Sequence, residues 1–199
     1  MKTTILTIAI ALMSIIGASK SASATGRTEE VTNLIEVTRI NKIEVHGNVE
    51  VYVSDGNTDK AKVYNNYYAS NALVQDQGGV LRISSYSSQK LVVWVTVSDL
   101  REIAAFDNAT VKSFGKLSAL DIELKLHDQA LAQLDLDAYE AHINLSGASK
   151  ADLTGNIDQG SVIYDQSSFL NISKLTAGNV SKKVNTIKKY VSHEELASL

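Results

Sequence analysis

Between about Leu100 and Leu175 this chain repeats one hydrophobic register every nineteen or twenty residues. With Phe106, Leu126, Leu145 and Tyr164 aligned, Phe114, Leu134, Leu153 and Ile172 fall into step at the same intervals. Self-similarity at such a period marks thin coils, each of which buries its inner face only by stacking on the next. Within the repeat, Ile122, Leu124 and Leu126 alternate with Glu123 and Lys125, and Ala141, Ile143 and Leu145 alternate with His142 and Asn144. Period-two alternation puts one face inward and the other in water, so the units are strands. The sequence therefore predicts an all-β fold: a single-stranded right-handed parallel β-helix, or β-solenoid, with coils of about 19–20 residues, preceded by longer N-terminal β-strands. A sandwich of short strands competes, but hairpins would not require both apolar columns to keep one common offset.

Ahead of the repeat, strands are expected at Ile43 to Val53, Lys60 to Tyr64, Val80 to Ser84 and Leu91 to Val97. Asp55-Gly56 and Gln77-Gly78-Gly79 read as turns between them. Leu91 to Val97 is apolar at nearly every position, which suits a strand covered on both faces.

The first residues bear on location. Lys2, an apolar and small stretch from Ile5 to Ala18, and Ala22-Ser23-Ala24 have the form of a cleavable secretory signal over residues 1–24. The expected mature chain is a domain over 25–191 with a C-terminal tail over 192–199. No later run reaches the ~20 apolar residues that a membrane-spanning helix needs, so no transmembrane segment is expected once the signal is removed. There is no cysteine. That excludes disulfides, thiolate metal sites, a cysteine nucleophile and a lipid-modified cysteine at the cleavage site. An exported, non-lipidated protein of the periplasm or cell exterior is the expectation.

The full chain carries 19 basic and 22 acidic side chains, a formal charge of −3. Loss of Lys2 and Lys20 with the signal leaves 17 against 22, or −5. Such a surface lacks the basic footprint of nucleic-acid binding. Lys174, Lys182, Lys183, Lys188 and Lys189 do cluster towards the C-terminus, as a solvated face or terminal cap would.

The strand pattern resembles the bacterial auto-transporter adhesin head domain, also called the GIN domain, a domain of unknown function common in the Bacteroidetes. The resemblance rests on Ile43-Glu44-Val45-His46-Gly47, Val49-Glu50-Val51-Tyr52-Val53, Gly78-Gly79-Val80-Leu81-Arg82-Ile83 and Val93-Trp94-Val95-Thr96-Val97. Leu145-Ser146-Gly147-Ala148-Ser149 and Ala151-Asp152-Leu153-Thr154-Gly155 follow. It covers about residues 35 to 185 and implies a secreted β-helical envelope protein, adhesive in role, with no catalytic residues to transfer.

Two groups of residues are candidates for binding. At the bends, Asp107, His127, Ser146 and Asp165 form one expected column, and Asn108, Asp128, Gly147 and Gln166 the next. Side chains one strand spacing apart, ~4.8 Å, offer oxygen ligands to a cation or to sugar hydroxyls. Asp and Asn also satisfy turn backbone without any ligand. Tyr64-Asn65-Asn66-Tyr67-Tyr68, with Tyr52, Tyr86 and Trp94 nearby, is the second group, since exposed tyrosines stack on glycans.

Binding residues are thus assigned to Tyr64, Tyr67, Tyr68, Asp107, Asn108, His127 and Asp128, with no metal and no cofactor. His46, His127, His142 and His193 show no zinc spacing. The leading function is a non-catalytic envelope or extracellular adhesion module for a surface glycan or envelope protein. A polysaccharide lyase or hydrolase is the alternative, for which Asp107 with Asp128 is the acid pair to nominate. A structural protein that forms homo-oligomers through its coil ends is the third reading.

Overall fold

A computed structural model describes residues 33–35, 37–64 and 72–185. The expected signal, Tyr67, Tyr68 and the 192–199 tail lie outside them. The described chain is all β, with twelve strands in one sheet. These are β1 (Asn33–Ile35), β2 (Lys42–Gly47), β3 (Val49–Asp55), β4 (Lys60–Val63), β5 (Ala72–Gln77), β6 (Val80–Ser85), β7 (Leu91–Val97), β8 (Glu102–Ala105), β9 (Thr110–Leu126), β10 (Leu131–Leu145), β11 (Lys150–Asp165) and β12 (Phe169–Asn185).

The chain does not form the expected right-handed parallel β-helix. The sheet is mixed and curls into a half-barrel. β4 runs antiparallel to both β1 and β7, and β5 antiparallel to β6, while the remaining pairings are parallel. A nineteen-residue period reports parallel neighbours only where the period runs. It is silent on the N-terminal half, where Gly78 and Gly79, both at positive φ, close a tight β5–β6 hairpin.

The expectation of longer strands at the N-terminus is also reversed. β1 to β8 span three to seven residues, whereas β9 to β12 span 15 to 17, because their ladders continue through the bends. At one bend, Gly155 (φ 100) lets β11 pass against β10: a Cβ there would lie 2.0 Å from the Leu136 carbonyl oxygen. β7 is not covered on both sides, since Leu91, Val93, Val95 and Val97 are buried while Val92, Trp94 and Thr96 are half-exposed.

Cross-strand register builds the core. Ile83, Val45, Ala105, Leu126, Leu145 and Tyr164 are successive direct partners, and so are Leu81, Ile43, Ile103, Leu124, Ile143 and Val162. Phe106 is not in the first of these columns, because Ala105 is the partner of Leu126. The offset is 21 residues from Thr110 to Leu131 and falls to 19 from Lys116 to Asp135. The change occurs at a bulge, where Ser113, Phe114 and Gly115 stand opposite the single residue Leu134. Phe114 is thereby thrown out of the core and is 63% exposed. Truncating the buried side chain in Leu145→Ala should cost about 2–5 kcal/mol in urea unfolding, and Phe114→Ala no more than about 0.5 kcal/mol. Equal costs would contradict this register.

Candidate functional site

The inward columns dictate what the outer face carries. With Val51, Val93 and Val111 buried, Glu50, Tyr52, Trp94 and Lys112 must point outward. Tyr52 is the direct partner of Trp94 on β7 and of Lys112 on β9, and Trp94 is the partner of Lys62 on β4. The Tyr52 and Trp94 rings stack with centroids 4.8 Å apart. Phe114, expelled by the bulge, tilts onto Trp94 at 5.2 Å, and Tyr64 meets the same indole edge-on at 6.3 Å. Three aromatic side chains thus gather around one tryptophan, within the favourable range for ring pairs.

Glu50 anchors this aromatic face. Its carboxylate accepts hydrogen bonds from Lys112 Nζ at 2.6 Å, Tyr52 Oη at 2.8 Å and Lys90 Nζ at 3.2 Å. Burial alone would raise its pKa, but the hydrogen bonds from Lys112, Tyr52 and Lys90 outweigh that and hold it down at about 2. The same bonds raise Lys112 and Tyr52 above their ordinary values. Lys112 Nζ also lies 5.6 Å from the Tyr52 ring centroid. The Tyr52 ring is therefore held by ionised groups beside it on the same sheet face.

The bend residues form a different structure. His46, Phe106 and His127 stack with nearly parallel rings, 4.4 and 4.7 Å apart, and Ser146 Oγ lies 2.7 Å from His127 Nδ1. Asp107 and Asp128, both at φ 58, and Gly147 at φ 66 occupy the left-handed turn position in successive bends. Asp107 Oδ2 accepts the Gly47 N–H and the Tyr86 hydroxyl, and Asp128 Oδ2 accepts the Asp107 N–H. Asp165 does the same for the Gly147 N–H. These carboxylates tie one turn to the next. Asn108 is exposed beside them. Among the described residues no three metal-binding side chains cluster.

Farther along the long strands, Glu140, His142, Gln159, Ser161, Asn179 and Ser181 border a shallow groove of about 490 Å³. His142 spans it, with Nδ1 2.9 Å from Ser161 Oγ and Nε2 3.2 Å from Glu140 Oε1. The lining offers donors and acceptors to a hydroxylated ligand.

Of the residues assigned from sequence, Tyr64 joins the aromatic face, while Asp107, Asn108, His127 and Asp128 lie together at the bends. Glu50, Lys112 and Phe114 were missed. Glu50 and Lys112 were legible as the polar alternates of Val49–Val53 and Val111. Phe114 carried only the bulge signal of Gly115.

Among the described residues no helix is long and apolar enough to cross a membrane. Residues 39–189 match the family described as "Putative auto-transporter adhesin, head GIN domain", and the chain belongs to that family. Solved structures share the fold. A "putative adhesin" from Parabacteroides merdae is 15% identical with a TM-score of 0.57, covering 77% of each chain. One from Parabacteroides distasonis is 16% identical with a TM-score of 0.55, also covering 77% of each. A "putative lipid binding protein" from Parabacteroides distasonis is 12% identical with a TM-score of 0.53, covering 77% of this chain and 78% of its own. No curated protein matches in sequence. The family and these neighbours are described as adhesins or binding proteins and not as enzymes.

Because the Glu50 pKa is depressed on folding, its stabilisation is present above the unfolded carboxylate range and lost as pH falls. Glu50→Gln should lower stability at pH 7 by about 1–2 kcal/mol. The deficit should shrink as pH drops through about 4.3 towards 2. A deficit that persists unchanged to pH 2 would rule out this anchoring role.

Proposed function

We propose that the chain is an exported, non-catalytic binding module whose aromatic face holds carbohydrate at the cell envelope or on a neighbouring surface. The observation that carries this reading is the Trp94 indole ringed by Tyr52, Phe114 and Tyr64, with Phe114 63% exposed and Tyr52 pinned by Glu50. A pyranose presents an apolar C–H face with a hydroxyl rim. Flat rings flanked by Lys62 and Lys112 complement both parts at little entropic cost, since the rings are already ordered. Tyr64 belongs to this face. Asp107, Asn108, His127 and Asp128 serve it indirectly, by fixing the bends from which the strands run.

Export follows from the 1–24 signal, with cleavage before Thr25, a working domain over 25–191 and a tail over 192–199. N-terminal sequencing of the secreted protein should begin at Thr25; an intact Met1 in the exported protein would refute cleavage.

Glycan-array binding followed by calorimetric titration tests the function. Retention on glycans, at least tenfold weaker in Trp94→Ala with the β-sheet circular dichroism spectrum retained, is the expected result. Binding to phospholipid vesicles in place of glycans, the activity named for one structural neighbour, would overturn it.

A further inference from the structure

We infer that the carbohydrate this face takes is an acidic, linear chain lying across the strands and not a single sugar at their ends. The inference rests on the glycan reading above. Cross-strand register places Lys62, Trp94, Tyr52, Lys112, Gln133, Asp152 and Asn171 in one row, each the direct partner of the next, over β4, β7, β3, β9, β10, β11 and β12. At ~4.8 Å per strand, the six steps give a row about 29 Å long that follows the curl of the sheet. Its members face outward, because Val93, Val51, Val111, Ala132 and Ala151, beside them in sequence, are buried.

A second row lies two residues back on the same face, roughly 7 Å away. It contains Glu50, Thr110, Leu131, Lys150 and Phe169. Phe169 is 61% exposed at the far end, five strands from Trp94. The face is thus aromatic at both ends and, apart from Leu131, polar between them. Gln133 is exposed, and Asn171 Nδ2 donates to Asp152 Oδ1 at 3.0 Å, which orders the amide–carboxylate pair. A single sugar would cover only the Trp94 end. Repeated contacts at strand spacing suit a polymer, whose successive units reuse the same chemistry.

Charge sets the class of polymer. The two rows hold Lys62, Lys112 and Lys150, and Lys90 joins them through Glu50, against only Glu50 and Asp152. Neither Lys62 nor Lys150 has an ion-pair partner among the described residues, and both are exposed. A positive strip on a chain of net charge −3 favours uronate- or phosphate-bearing glycans over neutral ones.

Calorimetry with trigalacturonate, polygalacturonate, maltotriose and amylose tests this on the full protein, with a teichoic-acid-type glycerol phosphate polymer as the phosphate arm. Polygalacturonate should bind at least tenfold tighter per chain than trigalacturonate and amylose, and should weaken with added salt; binding of the phosphate polymer alone would overturn the assignment to carbohydrate. Lys150→Ala and Phe169→Ala should each weaken the long acidic chain about threefold or more while leaving trigalacturonate unchanged. Equal affinity for short and long chains, or far-end variants without effect, would overturn the track while binding that still depends on Trp94 keeps the glycan reading. Preference for amylose would overturn the charge assignment. Absence of any binding sensitive to Trp94→Ala would defeat the glycan reading itself.

Discussion

Cross-strand register is the constraint from which the rest follows. A β-strand alternates its side chains strictly, so a slip of one residue moves every apolar group from core to solvent. In this sheet the ladder from β2 through β8 to β11 fixes Val45, Ala105, Leu126, Leu145 and Tyr164 as one inward column. Burial of that column and its neighbours is what holds the parallel pairings. The same register leaves Glu50, Tyr52, Trp94 and Lys112 no choice but to share the outer face. Core and site are two sides of one alternation.

That dependence explains which parts of the fold were legible. Alternation around Leu126, Leu145 and Leu153 identified strands and their mutual offset, because a burial pattern is written directly in residue type. Offsets cannot be read where a bulge changes them. Phe106 and Phe114 looked like column members under a uniform interval of about twenty, yet the pairing steps from 21 to 19 across Phe114-Gly115, and both aromatic side chains fall outside the core. Strand direction was equally hidden. An alternating segment such as Lys60–Val63 has the same pattern whether it runs parallel or antiparallel, so the mixed sheet and its half-barrel curl could not be deduced from a repeat confined to the second half of the chain.

The site shows the same division. Tyr64 was found through composition, since a run of Tyr and Asn stands out in any strand-rich sequence. Phe114 was not, because its role depends on being displaced by a glycine bulge onto a tryptophan twenty residues earlier. The bend columns expected from sequence are one residue out at the first bend, where Phe106 and not Asp107 stacks on His127 and Asp107 stands level with Asp128. One oxygen of each carboxylate, Oδ2, is engaged by the fold itself, on the Gly47 N–H and the Tyr86 hydroxyl for Asp107 and on the Asp107 N–H for Asp128.

Glu50 connects stability to recognition in a way that the turn carboxylates do not. A half-buried acid among two lysines and a tyrosine is costly to desolvate, and it is retained because three donors hold it ionised. A hydrophobic residue at that position would pack against Thr110 and Val92 without such cost, but it would leave the Tyr52 hydroxyl and the Lys112 ammonium free to sample other rotamers. The carboxylate therefore contributes order more than net energy. A face meant to meet a flat ligand needs its rings held in one orientation before the ligand arrives, and the ionic brace at Glu50 supplies that orientation to Tyr52, which in turn stacks on Trp94.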